Sequence, residues 1–131
     1  MGWARCVCVI IGIGVDIIEL DRVKKAVERE AFVKRVYTDA EIEYCHSRGK
    51  SGAMSFAGRF AAKEAVMKAF GTGLRNGSMQ DIEIVNDELG APQVRLSGWF
   101  GDFAREKAVK KIWVSISHSK ESAVAQCVIE G

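Results

Sequence analysis

The stretch SFAGRFAAKEAVMKAF, Ser55 to Phe70, decides the fold. On a helix turning about 100° per residue, Phe56, Phe60, Met67 and Phe70 form one stripe, and Gly58, Ala61, Ala62, Ala65 and Ala69 lie opposite. A helix that is apolar nearly all round belongs in the middle of a domain, and its small-residue face lets a second element approach closely. Four charges interrupt it: Arg59 and Lys63 at i,i+4 spacing, and Glu64 and Lys68 at the same spacing, on opposite flanks of the large-residue stripe. A buried charge needs a partner or a task. The plain expectation is that these four pair along the helix or that the lysines snorkel outward.

Working outward, the run from Val7 to Val15 is continuous and β-branched, as in a central strand, and Asp16 follows at or near its end. From Ile18 to Glu30 an amphipathic helix is predicted, with Leu20, Val23 and Val27 on one side and a basic row of Arg22, Lys25 and Arg29 opposite. Thr38, with Glu41 three residues on, forms a capping-box pattern that opens a short helix ending near Gly49. Beyond Phe70, the Gly71-Thr72-Gly73 run suits a chain reversal. Strands are expected at Asp81 to Asn86, Gln93 to Leu96, Trp113 to Ser117 and Ala123 to Ile129, with a helix from Ser97, its N-cap, to Val109. The only proline, Pro92, falls in a turn beside Gly90. The order βαααββαββ implies an α+β fold in which a largely antiparallel sheet packs against the long central helix.

The chain has 131 residues, which suits a single domain spanning 1–131. Its formal net charge of +2 lacks the strong basic excess of a general nucleic-acid binder, so an acidic partner must be met by a local patch. The apolar run from Cys6 through Val15 is far shorter than the ~20 residues of a membrane span. No small-residue cleavage site ends it, which points to a cytoplasmic protein. Cys6, Cys8, Cys45 and Cys127 contain no CxxC pair and match no common zinc spacing, so reduced, packing cysteines are expected.

Asp16 is a second carboxylate that a strand end can bring near Glu64. Two carboxylates converging on a phosphate-sized space are how Mg²⁺ is usually held, with Lys63 and Lys68 supplying positive charge for a phosphoryl group. Gly12-Ile13-Gly14 lacks the third glycine of a dinucleotide-binding loop, and its glycines are expected to admit another backbone. His118, between Ser117 and Ser119 and before Lys120, reads either as a structural histidine or as part of an anion-binding turn.

Three blocks together resemble the holo-acyl-carrier-protein synthases, the small single-domain members of the phosphopantetheinyl transferase superfamily. They are GIGVDIIELDR (Gly12 to Arg22), FAGRFAAKEAVMKAFGTG (Phe56 to Gly73) and VSISHSKE (Val114 to Glu121). The resemblance covers the chain from Ile10 onward and implies the 4′-phosphopantetheinyl transferase-like fold. It also implies transfer of 4′-phosphopantetheine from coenzyme A to a serine of apo acyl carrier protein, releasing adenosine 3′,5′-bisphosphate. By motif, Asp16 and Glu64 fall on the family's Mg²⁺ ligands and Lys68 on its catalytic lysine. Arg59, Lys63, His118 and the Gly71-Thr72-Gly73 loop fall in the region holding the coenzyme's phosphates and adenine. The serine proton goes to Glu64 or to metal-bound water. Family members are typically homotrimers with each active site between neighbouring subunits. Carrier proteins are generally acidic, which makes Arg22, Lys25 and Arg29 the expected docking row. The lead from Met1 to Val9, which most members lack or shorten, is expected to be an extended strand.

Overall fold

The computed structural model describes residues 8–131. Chain order runs β1 (Ile10–Glu19), α1 (Leu20–Ala26), α2 (Glu30–Val36), α3 (Asp39–Ser47), α4 (Gly52–Phe70), β2 (Ile82–Asn86), β3 (Pro92–Leu96), α5 (Gly98–Glu106), β4 (Lys111–His118) and β5 (Ser122–Glu130). Two antiparallel sheets result, one ordered β1-β5-β4 and the other the hairpin β2-β3.

The long apolar segment is the central helix α4, three residues longer at its start than the periodicity predicts. Its small-residue face lies on β1 so closely that a Cβ at Gly12 would overlap the Ala69 carbonyl and one at Gly14 the Ala65 carbonyl. The two glycines therefore serve backbone approach, as expected. Ala123, Ala125, Cys127 and Ile129 of β5, all buried, complete the seam between sheet and helix. On the other side of α4, Tyr37 donates a hydrogen bond to the Phe56 carbonyl at 2.8 Å and meets the Phe56 ring edge-on at 4.8 Å between centroids. Thr38 forms the predicted capping box with Glu41. Ser97 holds the N-cap position of α5, but its side chain makes no capping bond.

Pro92, expected in a turn, is instead the first residue of β3 and pairs with Asn86. Two further expectations are corrected. First, β1 is an edge strand running to Glu19, so Asp16 lies within it rather than at its end. Among the described residues only one of its faces is covered: Gly12, Gly14, Asp16 and Ile18 turn toward α4, whereas Ile13 and Ile17 stay 69% and 68% exposed, with Ile11 and Val15 beside them. Second, the single helix expected from Ile18 to Glu30 is two, α1 and α2, joined by a turn at residues 27–29. On one continuous helix Val23 and Phe32, nine positions apart, would point about 180° from each other. Breaking the helix lets both reach the core. Of the lead, residues 1–7, including Cys6, lie outside the described residues. Val9 continues the strand pairing by exchanging backbone hydrogen bonds with Gly131.

Candidate active site

Strand alternation turns Asp16 toward α4, and the 3.6-residue period of α4 puts Glu64 and Lys68 one turn apart on the side facing β1. Lys68 Nζ donates to Asp16 Oδ1 at 3.0 Å and to the Val15 carbonyl at 3.0 Å. Burial pushes the Glu64 carboxyl above its ordinary range, the neighbouring Asp16 charge pushes it further, and Lys68 pulls it back. One chain thus brings both carboxylates and the lysine together. Gly71 ends α4 in the left-handed conformation at φ 75°, and Gly73 follows at φ 63°. These two glycines line a pocket with Glu64, Met67, Lys68 and Leu74. Thr72 folds its hydroxyl onto the Gly73 carbonyl and accepts from Arg75 at its own carbonyl, which fixes the loop.

A second cavity, of about 790 Å³, opens on the other side of α4. Arg48, Lys50, Arg59, His118, Ser119 and Lys120 bring a run of positive and polar groups to its walls. Arg59 is almost fully buried, lies over the Tyr44 ring with its guanidinium carbon 4.2 Å from the centroid, and leaves Nε without a hydrogen-bond partner. An orphaned donor on a buried guanidinium, among other cations, is suited to an anion.

Two of the residues expected here sit elsewhere. Lys63 is completely buried and pairs with Glu41 at 2.7 Å, donating as well to the Met79 and Ile82 carbonyls at 2.9 and 2.6 Å. With all three ammonium protons used inside the core, it cannot reach a coenzyme phosphate. Ser117, by strand alternation, points to the opposite face of β4 from Ile116 and His118, outside the cavity. Arg22, Lys25 and Arg29 are exposed and line a groove with Ile18, Phe32 and Phe60. Sequence reasoning missed Tyr44, Arg48, Lys50 and Ser51. The signal was present in the basic, glycine- and serine-rich run from Ser47 to Gly52.

The 4′-phosphopantetheinyl transferase superfamily pattern matches residues 12–127. A holo-[acyl-carrier-protein] synthase of Clostridium tetani is 50% identical over 125 residues, covering 93% of this chain and 97% of that protein. The crystal structure of the holo-[acyl-carrier-protein] synthase of Neisseria meningitidis superposes with a TM-score of 0.86 at 34% identity, over 94% of this chain and all of that one. The synthase of Bacillus anthracis, solved in complex with CoA (3′,5′-ADP), superposes with a TM-score of 0.78 at 42% identity, over 93% and 97% of the two chains.

Proposed function

Because the chain belongs to the 4′-phosphopantetheinyl transferase superfamily and is an enzyme of its holo-[acyl-carrier-protein] synthase type, we propose the following reaction. It moves 4′-phosphopantetheine from coenzyme A to a serine of apo acyl carrier protein, with Mg²⁺ at Asp16 and Glu64, and releases adenosine 3′,5′-bisphosphate. The observation that carries this reading is the cluster of Asp16, Glu64 and Lys68 beside the Gly71 to Gly73 loop. Among the described residues no group of three or more His, Cys, Asp and Glu side chains forms a ready-made metal cage. A carboxylate pair nevertheless fits Mg²⁺, which takes one or two carboxylates and leaves its other positions to water and substrate phosphate. The ammonium seated on Asp16 marks the same spot as favourable to positive charge. When bound, the ion would supply charge neutralisation for the pyrophosphate.

The chain's own groups do the rest. Lys68 donates to the leaving phosphate and stabilises its growing charge. Glu64, held above the ordinary carboxylate range by burial, is suited to accept the serine proton. Arg59, with His118, Ser119, Arg48 and Lys50, supplies the anion-binding wall for the nucleotide end of the coenzyme. The groove lined by Arg22, Lys25 and Arg29 is the docking surface for an acidic carrier, its apolar floor of Ile18, Phe32 and Phe60 adding contact area.

Arg59 and Glu64 are five residues apart on α4, about 140° around the helix, so the basic cavity and the carboxylates face different ways. The bare face of Ile11, Ile13, Val15, Ile17 and Trp113 supports a homotrimer in which one subunit's carboxylates meet its neighbour's basic cavity. The proposed setting is the cytoplasm; no helix among the described residues is long and apolar enough to cross a membrane.

The test is incubation with coenzyme A, Mg²⁺ and an apo carrier protein, read by intact mass. A phosphopantetheine adduct that chelator abolishes is expected, and an unmodified carrier refutes the reading. Mixing Glu64→Gln with Arg59→Gln subunits should restore activity that neither has alone. Mixed oligomers without activity would place both residues in one subunit's site.

A further inference from the structure

Lys68 does not stand free above the carboxylates. Its ammonium bonds Asp16 Oδ1 and the Val15 carbonyl, each at 3.0 Å, so two of its three protons are spent on β1. The Asp16 side chain is only 15% exposed, and the ammonium sits on its Oδ1. A cation approaching that oxygen competes with the ammonium and is repelled by it. The Lys68 side chain itself is 55% exposed, in contrast to Lys63, which the core holds on every side. Lys68 is therefore able to leave, and its aliphatic stem already lines the pocket shared with Glu64, Gly71 and Gly73.

We infer that Lys68 is the resident counter-cation of Asp16 in the free enzyme, competing with the divalent ion, and that coenzyme phosphate draws it away. The inference rests on the proposed reading of Asp16 and Glu64 as metal carboxylates. Two consequences follow from linkage. The free enzyme binds a divalent ion more weakly than its two carboxylates would alone. Ion and coenzyme each raise the other's affinity, because one vacates Lys68 and the other gives it a new partner. A lysine that serves the leaving phosphate in the complex thus guards the metal position before the complex forms.

The experiment measures Mn²⁺ binding to the full chain by electron paramagnetic resonance, with and without coenzyme A, for wild type, Lys68→Met and Lys68→Gln. Circular dichroism checks that each variant is folded. Without coenzyme, both variants should bind Mn²⁺ roughly fivefold more tightly than wild type, the scale of a half-exposed ion pair. The enhancement by coenzyme should shrink by a similar factor. The gain should persist in about 0.5 M salt, because a 3.0 Å contact lies inside the screening length there. Equal or weaker Mn²⁺ binding by the variants overturns the inference, as does a gain that salt abolishes, which would indicate only a distant field. Asp16→Asn and Glu64→Gln separate the two readings. If they leave Mn²⁺ binding unchanged, the metal site and this inference fall together. If they abolish it while the Lys68 variants match wild type, only the inference falls.

Discussion

Lys63→Met tests how this site is held. The side chains of Lys63 and Glu41 are both fully buried, 2.7 Å apart, with no solvent to share the charge. Burial pulls the Lys63 ammonium below its ordinary range, and Glu41 pulls it back up. Methionine fills nearly the same volume, so the substitution removes charge and hydrogen bonds rather than packing. Glu41 would keep its backbone donors, Thr38 at 2.9 Å and Ile84 at 2.8 Å, but would lose its counter-charge. The Met79 and Ile82 carbonyls would lose their shared donor. Breaking one side of a buried pair costs about 3–5 kcal/mol. For a chain of this size that is a fall in Tm of roughly 10–20 °C.

Urea unfolding at fixed protein concentration measures the loss, and the double variant Glu41→Gln/Lys63→Met isolates its cause. Glutamine carries no charge, and although its amide nitrogen replaces one of the two oxygens that accept from Thr38 and Ile84, the double variant should recover the part of the loss that comes from the unpaired buried charge. At a temperature where Lys63→Met stays folded, its KM for coenzyme A should remain close to that of wild type. A coenzyme-binding lysine predicts the reverse, with a raised KM and intact stability. A loss below about 1 kcal/mol, or a double variant as unstable as the single, refutes the reasoning.

Three further outcomes are expected. Gly14→Ala, whose new Cβ would overlap the Ala65 carbonyl and press on the Ala69 amide, should cost about 3 kcal/mol in urea unfolding, and Gly71→Ala, with open space around it, only about 1 kcal/mol. In chelator, Glu64→Gln should be more stable than wild type at neutral pH although it transfers nothing. The folded Glu64 carboxyl sits above its ordinary 4.5, so the native state holds the extra proton in that window and wild-type stability falls as pH rises through it. The difference should vanish at about pH 4, and a wild type as stable as the variant at about pH 7 would refute the assignment. Cys45 and Cys127, whose thiols burial pushes up to about 12, should resist a thiol reagent at pH 8 until denaturant is added, which peptide mass mapping checks; labelling in the native state would refute it.

Most of the frame was legible because each element declares its environment locally. Helix α4 is apolar on every side, Thr38 and Glu41 satisfy each other's backbone, and Gly12 and Gly14 leave room for a helix backbone. Asp16, Glu64 and Lys68 were legible because strand alternation and helix period fix which way they turn. Lys63 was not. Its i,i+4 neighbour Arg59 suggests a local charged patch, whereas its real partner, Glu41, comes from α3 and already belongs to a capping box. The break between α1 and α2 was also hidden, since no glycine or proline marks residues 27–29 and only the need to bury both Val23 and Phe32 produces it. The continuous apolar run of β1 reads as covered on two faces, and among the described residues only one is.

That uncovered face bears on catalysis because of where Asp16 lies. Val15 and Ile17 flank it and point away from α4, and the Val15 carbonyl is the second acceptor of Lys68. In the proposed homotrimer, covering the apolar side of β1 would stiffen the strand that carries a proposed metal ligand. On the opposite flank of α4, the basic cavity turns away from the same carboxylates. A substrate with a nucleotide at one end and a pyrophosphate at its centre needs both. A helix that separates the two half-sites within a chain, beside a sheet face bare of cover among the described residues, is what the proposed homotrimer would bring together. If the chain forms the proposed homotrimer, a face-disrupting change such as Ile13→Asp, on the exposed face three residues before Asp16, should abolish transfer in the same step as it abolishes the oligomer.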